Sequence, residues 1–318
     1  METILKDLII ITGPTAVGKT AASIGLAKAV GGEIISADSM QVYKHMDIGT
    51  AKITPEEMDG VNHYLIDELE PNQEFNIVKF QQRAKQAIGE ISSRGHIPII
   101  AGGTGFYIQS VVYDVDFDEE SSGQDSYRAR LCAMADDGRL NELHAMLAAV
   151  DSVSAENIHP NNVKRVIRAL EYFHQTGVPI SEHNREQSKK ESPYRFAYFV
   201  LNDEREALYE RINRRVDKMI ACGLVEEVRR LKEMGYDRSF VSMQGIGYKE
   251  ILDFLDQKIT LDEAVYMIKR DTRHFAKRQI TWFKREKEVI WVNIQDFDRN
   301  MEKVQAYMLD ILKSKNII

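Results

Sequence analysis

Near the amino terminus, Gly13-Pro14-Thr15-Ala16-Val17-Gly18-Lys19-Thr20 carries the spacing GxxxxGK followed by threonine. Glycines there let backbone amides turn inward as a nest for phosphate oxygens, Lys19 adds a full cation, and the Thr20 hydroxyl can hold magnesium. The stretch is a polyphosphate cradle, and alone it does not say whether the occupant is a nucleoside triphosphate. Asp38 forms a second point of chemistry. It follows the apolar run Ile34-Ile35, where a carboxylate can ligate magnesium, accept a proton from a nucleophile, or simply cap the turn at Ser39-Met40. Thr104 lies in Gly102-Gly103-Thr104-Gly105, a turn poor in side chains where a hydroxyl can meet a phosphate or a substrate. Asp67, after Tyr64-Leu65-Ile66, has the position of a magnesium-holding acid but reads more readily as a structural turn residue. Cations able to neutralise a leaving group fall in two places, Arg211, Arg214 and Arg215 in one and Lys164, Arg165 and Arg168 in the other. Most helix arginines are solvated, so one or two of these should matter.

These groups need elements to position them. The apolar run Leu8-Ile9-Ile10-Ile11 before the loop and the amphipathic run 20–30 after it give strand, loop and helix. Short buried strands are expected at 33–36, 64–69 and 97–101, with a helix over 77–94 whose apolar residues fall at 77, 80, 84, 87, 88 and 91 and another over 106–113. Strands alternating with helices indicate an α/β fold, a P-loop NTPase-like parallel sheet flanked by helices. From Asp114 the chain turns acidic and turn-rich, then helical, with helices expected at 126–134, 139–150 and 160–174, the last opened by Pro160 and stopped by Gly177-Val178-Pro179. This predicts an inserted all-helical subdomain at 114–193 within a core of 1–113 and 194–318. The strand 196–201 returns to the sheet, and a mostly helical remainder completes the chain. A helix at 203–221 is expected to open on an Asp203 cap, a long basic helix on the Thr260-Leu261-Asp262-Glu263 capping box, and a last strand (289–292) and helix (299–313) close the chain.

The 318 residues are 43% hydrophobic, enough for an ordinary core. No apolar run reaches membrane-spanning length and no secretory signal is read at the amino terminus, while Cys132 and Cys222 lack the spacing of a disulfide or zinc framework, so a cytoplasmic protein is expected. The net charge of −7 argues mildly against a nucleic-acid binder. Yet 269–287 holds eight Lys or Arg against two acids, interleaved with Phe275, Trp282 and Phe283. That is either a solvated helix face or a surface for a phosphate backbone.

The loop at 13–20, Ile-Ser-Ala-Asp-Ser-Met-Gln-Val-Tyr-Lys-His-Met-Asp-Ile-Gly-Thr-Ala-Lys (35–52), Gly-Gly-Thr-Gly-Phe-Tyr (102–107), His-Pro-Asn-Asn-Val-Lys-Arg-Val-Ile-Arg-Ala-Leu-Glu (159–171), Gly-Ile-Gly-Tyr-Lys-Glu (245–250) and Ala-Lys-Arg-Gln-Ile-Thr-Trp-Phe (276–283) together resemble the bacterial tRNA dimethylallyltransferase family, over nearly the whole chain. The resemblance implies transfer of a dimethylallyl group from dimethylallyl diphosphate to the N6 amine of the adenosine 3′-adjacent to the anticodon, with Mg2+ required. It implies that Gly13, Pro14, Thr15, Ala16, Val17, Gly18, Lys19 and Thr20 bind the diphosphate. Asp38 would be the general base, with Thr104 in the reaction channel and Arg215 on the diphosphate; Thr20 and Asp38 would hold the metal. Contacts to tRNA would come from Asp38, Ser39, Met40, Gln41, Thr104, Lys164, Arg165, Val166, Ile167, Arg168, Gly245, Gly247, Tyr248 and Lys249. The insertion would grip the anticodon stem-loop, from which the target base must be flipped. Lys164 stands where some relatives have a polar amide, and the segment 116–124 is too variable in composition for family contacts to be carried onto it. The expected partners are tRNA and dimethylallyl diphosphate, with no membrane and no obligate protein partner, the chain acting as a monomer. Three other readings remain: an ATP-binding phosphate-loop kinase, prenyl transfer to free AMP, and a regulatory nucleotide-binding module.

Overall fold

The structure, a computed structural model, describes residues 5–117 and 126–318. Residues 1–4 and the 118–125 part of the acidic stretch lie outside the described residues. The chain forms two compact units, one made of the chain up to Val112 with Pro193–Ile318, the other of Tyr113–Ser192.

The first unit runs β1 (Lys6–Thr12), α1 (Lys19–Val30), β2 (Gly32–Ala37), α2 (Pro55–Met58), β3 (His63–Tyr64), α3 (Ile77–Ser93), β4 (Ile97–Gly102) and α4 (Gly105–Val112). The second unit holds α5 (Ser126–Asp136), α6 (Leu140–Val150), α7 (Ser152–Asn157), α8 (Val163–Thr176) and α9 (Ile180–Gln187). The chain then returns to the first unit with β5 (Tyr194–Asn202), α10 (Arg205–Ala221), α11 (Leu224–Glu233), α12 (Tyr248–Leu255), α13 (Leu261–Phe283), β6 (Val289–Asn293) and α14 (Met301–Ser314).

The sheet is parallel throughout, in the order β3-β2-β4-β1-β5-β6. Parallel strands are buried on both faces, which is why β1, β2 and β4 read as nearly unbroken apolar runs. Successive side chains of β1 point to opposite faces. Ile9 and Ile11 join a core with Leu26 of α1 and Val304, Met308 and Leu312 of α14. Leu8 and Ile10 are buried on the other face, as are Phe80, Ala84, Ile88 and Ile91 of α3. Helix boundaries obey local chemistry. Asn76 accepts from the Lys79 amide to open α3, Thr260 and Glu263 close a capping box at α13, and Gly31 ends α1 in the left-handed region.

Register sets where the strands end. Thr12 pairs with Gly102 and Gly102 with Ala37, so the three strands end level and Gly13, Gly103 and Asp38 leave the sheet side by side. The edge where parallel strands end is where such sheets bind ligands.

Three expectations are corrected. The strand expected at 64–69 is only His63–Tyr64, because Leu65 and Asp67 adopt φ of 62° and 55°, which no strand tolerates. Pro160 lies ahead of α8, which starts at Val163 with Asn162 as its cap. Asp203 does not cap α10; Glu204 occupies that position and the Asp203 carboxylate is taken by arginines. Helices α7, α9, α11 and α12 were not delimited by periodicity, three of them being only six to eight residues long.

Within the second unit, Leu131, Leu143, Leu147, Val166, Ile167 and Leu170 form a separate core. Asp151 braces it from the side, accepting from the amide and hydroxyl of both Ser154 and Ser181 at 2.7–2.9 Å. Burial would raise this carboxyl, but the four donors hold it below its ordinary value. Among the described residues no helix is long and apolar enough to cross a membrane.

Candidate active site

The loop after β1 turns through Gly13 (φ 141°), Ala16 (φ 63°) and Gly18 (φ 105°). A β-carbon at Gly13 would sit 2.3 Å from the Leu201 carbonyl oxygen, so only glycine fits between β1 and β5. Protein groups hold this loop from several sides. Lys19 Nζ donates to the carbonyls of Gly13 (3.1 Å) and Pro14 (2.8 Å), Arg211 Nε donates to Ala16 O (2.9 Å), and the Thr15 amide donates to Gln279 Oε1 (2.9 Å). Arg211 is anchored in turn by Asp203, a fully buried carboxylate that also pairs with Arg299. Burial pushes the Asp203 carboxyl up, and the two arginines more than reverse that, holding it ionised.

Across the register, the Thr104 amide donates to Ala37 O (3.2 Å), which ties the glycine turn to the strand that delivers Asp38. Gly102 is needed there: a β-carbon would lie 2.3 Å from the same Ala37 oxygen. Asp38 Oδ1 accepts from the Met40 amide at 2.9 Å, fixing the carboxylate in a tight turn. A crevice of about 460 Å³, its open mouth included, has Lys19, Thr20, Ser23, Ser36, Asp38 and Gln41 as its polar wall and Ile34, Ile53 and Ile66 as an apolar one.

The charges in it perturb one another. Desolvation lowers Lys19 from 10.5 to about 7, Arg215 adding to the depression and Asp38 opposing it. Desolvation raises the Asp38 carboxyl above its ordinary value, against the Met40 amide, Lys19 and Arg215. Arg215, which is not among the lining residues, is itself lowered by desolvation, although much of its side chain faces solvent. A base tuned upward beside two cations is the arrangement that proton abstraction coupled to departure of an anion requires.

Among the described residues, no three His, Cys, Asp or Glu side chains are grouped to hold a metal. Thr20 and Asp38 nevertheless place two oxygen donors on one cavity wall, which suits magnesium, an ion that takes most of its ligands from phosphate and water. Asp67 is not among the lining residues and pairs with the buried Lys52, in keeping with its structural reading.

The residues expected to meet RNA divide sharply. Ser39, Met40 and Gln41 are half-buried, Gln41 lining the crevice, and Met40 packs against Gly245, where a β-carbon would lie 2.7 Å from its terminal methyl; this joins the 38–41 and 245–249 segments. Lys249 is half-exposed. Tyr248 is corrected: it is 1% exposed, and its hydroxyl donates to Glu227 at 2.7 Å. Gly247 is also buried, at φ 100°, with its amide donating to Glu250. In the insertion Lys164 and Arg165 are exposed and Arg168 is half-exposed, but Val166 and Ile167 are core residues and offer RNA no side chain. Helical periodicity separates Val166 and Ile167 from the basic residues beside them.

The basic helix is partly self-satisfied. Lys269 pairs with Asp217, Arg270 with Asp271, and Arg273 donates to Asn213, while Phe283 is buried. Lys277, Arg278, Lys284 and Arg285 remain exposed, beside Phe275 under the Arg278 guanidinium.

Sequence reasoning missed Gln279 as a brace, and Arg211 was read only as a general cation. The available signal for Gln279 was a polar residue in the apolar stripe Ala276, Gln279, Phe283. Glu227 was missed too; it accepts from the amides of Asp47, Ile48 and Gly49 and fastens the loop that comes after Asp38.

Comparison with known proteins gives a consistent picture. Residues 41–286 match the family model described as IPP transferase. A tRNA dimethylallyltransferase of Lachnoclostridium phytofermentans is 61% identical over 314 residues, covering 99% of this chain and 100% of that protein. One from Carboxydothermus hydrogenoformans is 52% identical, with 98% of each chain covered. The crystal structure of a full-length tRNA isopentenylpyrophosphate transferase from Bacillus halodurans superposes with a TM-score of 0.73 at 44% identity, 98% of each chain being covered. A eukaryotic dimethylallyltransferase acting on tRNA gives a TM-score of 0.82 at 30% identity over 98% of this chain and 80% of that one.

Proposed function

This chain belongs to the IPP transferase family, and from that membership we propose that it transfers the dimethylallyl group of dimethylallyl diphosphate to the N6 amine of the tRNA adenosine 3′-adjacent to the anticodon. The observation that carries the reading to this chain's own residues is that Lys19, Thr20 and Asp38 line one crevice, with an apolar wall of Ile34, Ile53 and Ile66 beside them.

The geometry sets the chemistry. The adenine amine is a weak nucleophile because its lone pair is delocalised into the ring. As its nitrogen bonds to C1 of the dimethylallyl group, the C1–O bond breaks, the electron pair leaves with diphosphate, and the amine proton passes to the Asp38 carboxylate. Lys19, Arg215 and the amides of the loop still open to the crevice neutralise the departing diphosphate. Thr20 and Asp38 would hold magnesium, which supplies Lewis-acid neutralisation of the same leaving group. Thr104 is fixed to Ala37, the residue before Asp38, through its amide, and in this reading its hydroxyl serves the reaction channel. Exposed Lys164 and Arg165, Lys277 and Arg278 of α13, and Lys284 and Arg285 just after it supply cations for the phosphate backbone of tRNA. In this reading the enzyme works in the cytoplasm as a single chain.

The test is transfer of labelled dimethylallyl from its diphosphate to an anticodon stem-loop, run with magnesium beside AMP as acceptor and beside an ATP-hydrolysis control. Label on the stem-loop alone is expected. Label on AMP would move the function to free nucleotides, and ATP turnover without prenyl transfer would replace it with a kinase.

A further inference from the structure

Gln279 lies on α13, far in sequence from both loops it touches. Its side chain is 6% exposed, and its two polar atoms are both used: Oε1 accepts from the Thr15 amide at 2.9 Å, and Nε2 donates to Gly103 O at 2.9 Å. The amide orientation is unambiguous, because a backbone N–H can only donate and a carbonyl can only accept. The surroundings are shaped for this reach. A β-carbon at Gly103 would lie 2.3 Å from Nε2, and one at Gly105 would lie 2.2 Å from the ring of Trp282, one turn further along the helix. Two glycines of the 102–105 turn therefore seat two side chains of α13.

We infer that Gln279 is a positioning residue that clasps the phosphate loop to the glycine turn, so that the diphosphate cradle and the 102–105 turn keep one fixed separation. What the two loops do rests on the proposed function; the clasp itself rests on the geometry. The β1–β4 pairing ends at Thr12 and Gly102, so beyond it no strand pairing joins the two loops to each other. Thr12 Oγ1 donates to Gly102 O at the last rung, and Gln279 is the next link outward. Glutamine suits the position because one donor and one acceptor are needed on a single short arm. A carboxylate would face the Gly103 oxygen with a second oxygen, and methionine would fill the space with neither bond. The clasp also occupies the Thr15 amide, leaving the amides further along the loop to read phosphate.

The experiment compares wild type, Gln279→Met and Gln279→Glu. Hydrogen exchange at the Thr15 amide should be at least about tenfold faster in Gln279→Met, since its acceptor is removed. That readout does not depend on catalysis, so it decides the clasp even if no prenyl transfer is found. In steady-state transfer, kcat should fall about ten- to a hundredfold, the scale of a misplaced reacting group. Inorganic diphosphate should bind within about threefold of wild type, because Lys19 stays in place. The rate of Gln279→Glu relative to wild type should recover as pH falls, since a protonated carboxyl again offers one donor and one acceptor, while Gln279→Met shows no such recovery. Unchanged exchange at Thr15, unchanged kcat in Gln279→Met, or a pH-independent ratio for Gln279→Glu would overturn the proposal. Should Gln279→Met fail to fold, the pH profile of Gln279→Glu decides alone.

Discussion

Lys19 and Asp38 line the crevice and shift each other's protonation, Arg215 acts on both from outside the lining, and the loops around them are bonded by Gln279 and Arg211. On α8, Lys164 and Arg165 project from a helix whose other face, Val166 and Ile167, is sealed into the insertion core. The first arrangement fixes a few charges at short range in a low-dielectric site, where each is worth much and salt matters little. The second presents cations on a solvated face, where each is worth little and salt matters a great deal. Chemistry is thus expected to depend on the crevice, and affinity for a polyanion on the helix faces.

The sharpest way to break this contrast is at Asp38. Asp38→Ala should lower turnover by about two to four orders of magnitude, the usual scale for a general base, while diphosphate binding stays nearly intact. Steady-state rates beside titration of inorganic diphosphate check it. Turnover within a few-fold of wild type would remove Asp38 from that role.

Lys19 gives the next effect, and one with a pH signature. Since its ammonium titrates near 7 and an anion needs it charged, affinity for inorganic diphosphate should fall as pH rises through 7. In Lys19→Met binding should be weaker throughout, by about tenfold or more, and lack that step. Linkage adds a check on the free protein. Between about 7 and 10.5 the unfolded chain holds more proton on this lysine than the folded one, so its contribution to stability rises with pH across that window. Denaturant melts at both ends of the window should show the slope in wild type and lose it in Lys19→Met.

On the insertion side, Arg165→Glu with Arg168→Glu should weaken stem-loop binding by about tenfold at moderate salt and reduce the slope of log K against log salt by about one to two. Binding of dimethylallyl diphosphate should not change. An unaltered salt slope would make both arginines structural.

Tyr248→Phe should do least. It removes one of four donors to the buried Glu227 and costs about 1 to 2 kcal/mol of stability, with activity close to wild type. Loss of RNA binding without loss of stability would restore Tyr248 as a contact.

The same contrast explains what the sequence made legible. The parallel sheet was readable because strands buried on both faces leave apolar runs, and the phosphate loop because its glycines and Lys-Thr pair have few other uses. Alignment of Asp38 with that loop was readable only as an expectation, since it depends on the register of Thr12, Gly102 and Ala37. The bracing residues were hardly readable at all. Gln279 and Arg211 act on backbone atoms, and no spacing rule connects a helix side chain to a loop carbonyl 195 residues away. Motif matching also carried Tyr248, Val166 and Ile167 over as contacts, where a helix wheel through 163–170 would have put the last two in the core. Pro160 misled for a related reason: proline favours the first turn of a helix but does not require one to start there.

The most direct measurement of the central claim is single-turnover transfer of labelled dimethylallyl to an anticodon stem-loop at two salt concentrations, for wild type, Asp38→Ala and the Arg165→Glu, Arg168→Glu pair, with stem-loop affinity read alongside. The account predicts that Asp38→Ala is slow at both salts with unchanged affinity, and that the arginine pair transfers at the wild-type rate once the stem-loop is saturating. It would be contradicted by an Asp38→Ala chain that transfers normally, or by an arginine pair that stays slow at saturation.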